Sequence, residues 1–98
     1  MIMRGYWNET FTDSFVLLDE QGRQIATLSK YDRGYSDTLW KLEFFFNRVS
    51  LYAENGDIAK WKATNEMINL CNEEIGKFSK IRDHLPSIHE LAERAGAI

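Results

Sequence analysis

Residues 37–54, with the sequence DTLWKLEFFFNRVSLYAE, constrain the fold most, because they place three consecutive phenylalanines in a mixed apolar and charged pattern. If residues 38–46 formed a strand, one face of it would be apolar. Extending that strand would, however, place the polar residues Arg48 and Ser50 on the same apolar face. If residues 37–54 formed a helix, their apolar residues would share a continuous arc of about 140°. Asp37 would cap the N-terminus of that helix. The pattern therefore predicts a helix over residues 37–54.

On that helix a second apolar stripe would lie apart from the first. It consists of Trp40, Phe44 and Leu51, and it is flanked by Lys41 and Arg48. Aromatic and arginine side chains are enriched at the energetic centres of protein interfaces. The stripe and its two flanking cations are therefore candidate partner-binding residues. The alternative is that the stripe is buried against the N-terminal strands of the same molecule.

The first thirty residues have the pattern of antiparallel strands. Two β-prone runs, 15–18 and 24–28, are joined by a turn in which Gly22 can take the left-handed conformation. Alternating side chains predict a third strand over residues 6–11. We therefore expect residues 1–30 to form an antiparallel β-hairpin region of two or three strands.

A polar segment, residues 29–37, is expected to be a loop between the strands and the first helix. It contains Tyr31, Arg33 and Tyr35. Loops carry binding residues more often than core elements do, and tyrosine and arginine are frequent at interfaces. These three residues are a second candidate partner-binding set. The alternative is a plain connector in which a tyrosine folds onto the core.

The C-terminal half predicts two further helices. Apolar residues at spacings of three and four run through residues 57–84, and Pro86 ends the helix. Ser87 and Glu90 form a capping-box pattern that starts a short helix over residues 88–95. Since 98 residues suit one domain, we expect a single compact α+β domain. In it, the β-hairpin packs on a helical hairpin and a short C-terminal helix.

Two short segments resemble motifs of known families. Residues 51–63 are similar to the inter-helix turn of a tetratricopeptide repeat through Tyr52, Gly56 and Asp57. With no second copy of the repeat, this resemblance implies a helical hairpin turn. Residues 85–98 resemble the first helix and turn of bacterial helix-turn-helix domains, and the sequence ends where a recognition helix would begin. The second resemblance implies an alternative function as a nucleic-acid-associated regulatory accessory domain.

The sequence contains no residue pattern that points to catalysis, a metal or a cofactor. Cys71 lies on the apolar side of its predicted helix, which indicates a buried and unreactive thiol. His84 and His89 lie on either side of a proline, without a third imidazole or a thiol cluster. The isolated glycines form no phosphate-binding loop. We therefore expect no enzyme activity, no metal and no cofactor.

Charge and hydropathy narrow the class of partner. The chain has 12 basic and 15 acidic residues, a net charge of −3. Because nucleic-acid binders normally carry a basic stripe, this balance disfavours nucleic acid as a partner. No apolar run approaches the roughly 20 residues of a membrane span, and the first residues lack the apolar stretch of a signal peptide. A cytoplasmic location without a membrane partner is expected.

Together these features predict a small, non-enzymatic protein-binding module. We expect it to act on another protein as an inhibitor or adaptor of the kind that phages and mobile elements encode, and to be capable of forming a homodimer. This expectation rests on size and on the absence of catalytic motifs. The alternatives are the nucleic-acid-associated domain and a small-ligand site between sheet and helices.

Overall fold

The computed structural model describes residues 5–31, 38–45, 47–73, 82 and 85–97. Within this part of the chain the regular elements are strands followed by helices. They are β1 (Tyr6–Phe11), β2 (Ser14–Leu18), β3 (Gln24–Lys30), β4 (Leu39–Phe44), β5 (Asn47–Tyr52), α1 (Gly56–Glu73) and α2 (Ile88–Arg94). The predicted α+β class is therefore confirmed.

The strands form one antiparallel sheet in the order β1-β2-β3-β4-β5, so each strand pairs with its neighbours along the chain. Side chains alternate between the two faces of the sheet. In β2, Phe15 and Leu17 are buried on the face that packs against the helices, here called the core face. Val16 and Leu18 are half-buried on the opposite face. No described helix covers this opposite face, which is called the open face below.

The predicted N-terminal hairpin is confirmed as β2 and β3. Gly22 has a φ of 81°, and its N–H donates to the carbonyl oxygen of Asp19 at 3.0 Å. The third strand predicted over residues 6–11 is β1. The sheet is larger than the predicted two or three strands because the next segment of the chain also forms strands.

The helix predicted over residues 37–54 is wrong, and so is the helical hairpin built on it. This segment contains β4 and β5, which pair with each other in antiparallel register from Leu39–Tyr52 to Phe44–Asn47. Phe45 lies in the turn between them with a φ of 54°. The long helix α1 packs instead across the sheet and against α2.

The turn after Phe44 explains how this segment forms strands without placing Arg48 and Ser50 on the apolar face. In one uninterrupted strand Arg48 and Ser50 would share the face of Trp40 and Phe44. The tight turn reverses the chain and pairs Phe44 with Asn47, so residues on the core face have even numbers in β4 and odd numbers in β5. Leu51 then faces the core, whereas Arg48 and Ser50 are exposed on the open face.

The helix predicted over residues 57–84 is confirmed as far as Glu73, and its predicted continuation lies almost wholly outside the described residues. The side-chain oxygen of Asn55 accepts a hydrogen bond from the N–H of Ile58 at 3.0 Å, which caps the start of α1. The last predicted helix, residues 88–95, is confirmed as α2, with Ser87 as its N-cap.

The core lies between the sheet and α1. Its largest buried side chains come from the sheet, and small or flexible ones from α1 allow the helix to approach closely. They include Trp40, Leu42 and Phe44 from β4, Leu17 and Leu28 from β2 and β3, and Ala59, Ala63 and Met67 from α1. The helix thus covers Phe44, which the helical pattern had placed on a separate surface stripe.

The turn between β2 and β3 is organised by the carboxylate of Asp19. Its Oδ1 accepts hydrogen bonds from the N–H groups of Arg23 and Gln21, each at 2.8 Å, and its Oδ2 accepts one from Arg23 Nε at 2.8 Å. The backbone N–H of Arg23 is the main reason that the pKa of Asp19 lies below its ordinary value of 3.8. These bonds favour the charged carboxylate in the folded protein.

Acid is therefore expected to weaken the fold through Asp19. Because the folded pKa is the lower one, the contribution of the carboxylate is complete above pH 3.8 and is lost as the pH falls through the folded pKa. We expect the stability difference between the parent protein and Asp19→Asn, measured by urea unfolding from pH 6 to pH 2.5, to shrink over that window. A difference that stays constant with pH would contradict this role.

Candidate functional site

The structure places the predicted apolar stripe inside the molecule. Trp40 and Phe44 have no exposed surface, and Leu51 is 7% exposed. The indole Nε1–H of Trp40 donates to the carbonyl oxygen of Ala53 at 3.0 Å, and its ring stacks on Phe15 with centroids 6.2 Å apart. The stripe is therefore part of the core, because the segment is a strand pair and not a helix.

The other predicted site residues divide between the open face and the part of the chain outside the described residues. Lys41 Nζ lies 3.2 Å from Glu43 Oε1 and 5.9 Å from the ring centroid of Tyr31. Arg48 is exposed and pairs in register with Glu43. Lys41, Arg48 and Tyr31 remain a predicted contact surface. Arg33 and Tyr35 lie outside the described residues.

In the sheet of the described residues β1 and β5 are the outer strands, and α1 contacts the end of the outer edge of β5. The N–H of Ala53 donates to the carbonyl oxygen of Thr38 at 2.8 Å, so by alternation the peptide groups of Arg48, Ser50 and Tyr52 point away from β4. The ammonium of Lys62 on α1 donates to the carbonyl oxygen of Tyr52 at 2.7 Å. A lysine in this position opposes the addition of another strand.

The outer edge of β1 has unpaired backbone groups. The N–H of Lys30 donates to the carbonyl oxygen of Asp13 at 3.0 Å. Because bonding alternates along an antiparallel pair, the backbone N–H and C=O groups of odd-numbered residues in β2 bond to β3, and those of even-numbered residues bond to β1. By the β1–β2 register, the N–H and C=O groups of Trp7 and Glu9 then point outward. No strand pairs with them in the described part of the chain. A bulge between Glu9 and Phe11 ends the regular stretch.

A groove runs beside β1, between this strand and the two helices. Next to the N-terminal part of β1 it has a volume of about 490 Å³, and its largely polar lining includes the apolar side chains of Trp7, Pro86 and Leu91. Next to the C-terminal part lies a second depression of about 330 Å³. Trp7 and Lys60 line both depressions, which are therefore adjacent. We call the two together the β1 groove.

The centre of the β1 groove is held in place by hydrogen bonds and ionic contacts. Trp7 Nε1–H donates to Thr64 Oγ1 at 2.9 Å, and the Thr64 hydroxyl donates to the carbonyl oxygen of Lys60 at 2.8 Å. Lys60 Nζ lies 3.3 Å from Asp57 Oδ1 and 4.8 Å from the ring centroid of Phe15. A groove whose walls are preorganised loses less conformational entropy when a ligand binds.

The two ends of the β1 groove carry opposite charge. The end near α2 is lined by the cations Lys60 and Arg94 and by one anion, Glu90. The other end is lined by Glu9, Asp13 and Asp57, together with Lys60. Asp13 and Asp57 contact lysines, whereas Glu9, Glu90 and Arg94 make no ion pair with any described residue. The acidic end therefore offers the carboxylate of Glu9 to a ligand, and the end near α2 offers the guanidinium of Arg94 together with the carboxylate of Glu90.

Two observations concern metal-binding and nucleophilic side chains among the described residues. No group of three histidine, cysteine, aspartate or glutamate side chains among them could hold a metal ion. Cys71 is buried, as the sequence predicted, and burial raises the pKa of its thiol, which disfavours the nucleophilic thiolate. None of the helices in the described part of the chain is both long and apolar enough to cross a bilayer.

Comparison with known proteins adds no functional assignment. No protein-family model matches the chain, and no curated protein and no solved structure is significantly similar to it. The alternating pattern of residues 6–11 predicted the strand β1 but not its groove, because residues 5–9, 57–60 and 86–94 come together only in the folded chain. The capping pattern at Ser87 was the one local signal near this site.

Proposed function

We propose that this chain is a small, non-enzymatic protein-binding module of the inhibitor or adaptor type, which binds an extended segment of its partner along β1. One observation carries the proposal: an outer strand with outward-pointing backbone groups lies beside a groove whose lining includes Trp7, Pro86 and Leu91. Strand addition to an exposed sheet edge is a common mode of peptide recognition, in which backbone bonds provide affinity and side-chain pockets provide specificity.

The expected affinity is moderate. The outward N–H and C=O groups of Trp7 and Glu9 offer four hydrogen bonds, and each such bond contributes about 0.5–1.5 kcal/mol net. Apolar side chains of the segment would add burial against Trp7, Pro86 and Leu91. Association also costs translational and side-chain entropy. We therefore expect a Kd between about 1 μM and 1 mM, which corresponds to a binding free energy of about −8 to −4 kcal/mol.

Two separate proline substitutions test the proposal: one removes an outward N–H from the edge of β1, and the other removes an outward N–H from the edge of β5. We expect a peptide selected from a displayed library of random octapeptides to bind Glu9→Pro at least tenfold more weakly than the parent protein. The N–H of Glu9 does not bond to β2, so proline, which is tolerated at sheet edges, should preserve the fold. Fluorescence anisotropy measures the affinity, and thermal unfolding checks the fold.

Two control variants isolate the strand edge. Ser50→Pro makes the same change on β5 and should leave the affinity unchanged, and Glu9→Ala removes the carboxylate while retaining the N–H. If the library yields no binding peptide, or if Ser50→Pro weakens binding as much as Glu9→Pro, the proposal is wrong. Light scattering of the free chain tests the predicted self-association, since a dimer would have twice the 11.5-kDa mass.

A further inference from the structure

We infer that the β1 groove selects a partner segment that runs antiparallel to β1 and carries a basic residue, an apolar residue and an acidic residue at alternate positions, in that order. This inference rests on the proposed function and specifies the chemistry of the partner. It follows from the opposite charges at the two ends of the groove and from the spacing of side chains along β1.

The direction follows from hydrogen bonding. β1 already pairs antiparallel with β2, and antiparallel pairing is slightly more stable per residue than parallel pairing. A segment that pairs antiparallel with β1 begins beside Glu9 and ends beside Gly5. Its N-terminal part therefore lies at the acidic end of the β1 groove and its C-terminal part at the basic end.

The spacing follows from the alternation of side chains. Trp7 and Glu9 pair with Leu17 and Phe15 of β2, so their side chains are on the core face, toward the groove. Residues of the added segment opposite Glu9, Trp7 and Gly5 would point to the same side, two positions apart. The third of these residues would lie opposite Gly5, which is buried and lines the same end of the groove as Arg94.

Charge complementarity then assigns each position. A lysine or arginine opposite Glu9 meets a carboxylate that has no ion-pair partner among the described residues. An apolar residue opposite Trp7 lies on the side of the indole that lines the β1 groove. An aspartate or glutamate two positions later lies toward the end near α2, where the lining has two cations, Lys60 and Arg94, and one anion, Glu90. Opposite charges across strands are favourable, whereas like charges are unfavourable.

Two labelled peptides of the same composition test the inference. They are Thr-Lys-Thr-Val-Thr-Glu-Thr and its charge-swapped form Thr-Glu-Thr-Val-Thr-Lys-Thr, both with blocked ends. We expect the first to bind about tenfold more tightly in anisotropy titrations at about 20 mM salt, and its advantage to fall to less than about threefold at 0.5 M salt, because salt screens exposed charges.

Charge-reversal variants link the preference to the groove. The double variant Glu9→Lys with Arg94→Glu keeps the net charge and should favour the charge-swapped peptide. Glu54→Lys makes the same charge change as Glu9→Lys at an exposed position outside the β1 groove, and it should retain the original preference. The inference is overturned if the double variant keeps the parent preference.

The remaining outcomes separate the inference from the proposed function. Equal binding of both peptides, or tighter binding of the charge-swapped one, would refute the charge order and direction while leaving strand addition intact. Failure of both peptides together with an empty peptide library would refute the proposed function itself. A dimer that neither peptide dissociates would assign the edge of β1 to a second copy of the chain and also overturn the inference.

Discussion

Replacing Trp40 by alanine is expected to lower the free energy of unfolding by about 3–5 kcal/mol, the range typical of deleting a buried aromatic side chain. Trp40 has no exposed surface, stacks on Phe15 and donates its indole N–H to the carbonyl oxygen of Ala53. The substitution removes the stacking and the hydrogen bond and leaves a cavity between β4 and α1. Since small domains are stable by about 5–15 kcal/mol, urea unfolding should detect the loss readily.

Trp40→Phe separates the hydrogen bond from the packing. This variant keeps an aromatic ring near Phe15 but leaves the Ala53 carbonyl oxygen without its donor. Such an unsatisfied buried group costs about 1–3 kcal/mol, so the stability of Trp40→Phe should lie between those of the parent and Trp40→Ala. A Trp40→Ala variant that unfolds at the parent's urea midpoint would show that Trp40 is not in the core.

Replacing Phe44 by alanine should also destabilise the protein by about 3–5 kcal/mol, whereas the same change at Phe45 should cost less than about 1 kcal/mol. The two residues are adjacent, but Phe44 is fully buried in the core and Phe45 is 49% exposed in the turn. Phe45 contacts the ring of Phe44 with centroids 4.9 Å apart, which accounts for a small residual effect.

Phe45→Ala is a matched control because both residues share the same chain segment and the same chemical change. The positive φ of position 45 disfavours phenylalanine and alanine alike, so the backbone contribution cancels. Equal destabilisation by the two variants would contradict the strand pair. It would instead favour the helix predicted from sequence, in which Phe45 belonged to the main apolar arc. Paired urea titrations decide between these outcomes.

The features that were predictable from sequence are those with a local cause. Gly22 permits the left-handed turn between β2 and β3, Ser87 caps α2, and Cys71 follows the apolar side of its helix. Each depends on the conformational preference or the hydrogen bonding of a few neighbouring residues. These elements therefore appear in the structure where the pattern placed them, within the described residues.

The prediction for β4 and β5 failed because two periodicities fit one segment. Leu39, Leu42, Phe45 and Val49 follow a helical spacing, while Trp40, Leu42 and Phe44 alternate as in a strand. Local preference could not decide between them without knowing that Phe45 would reverse the chain. Pairing of β4 with β3 on one side and β5 on the other, together with burial under α1, favours the strand.

The sequence by itself determined the α+β class, the N-terminal hairpin, the capped helices and the burial of the thiol, because neighbouring residues suffice for turns, caps and apolar stripes. Only the tertiary structure decided that Trp40, Phe44 and Leu51 are core residues and that β1 is an outer strand. It alone brought Trp7, Lys60 and Arg94 into one groove. Strand order and the packing of α1 and α2 depend on contacts between residues that are distant in the sequence, and a local sequence pattern does not specify such contacts.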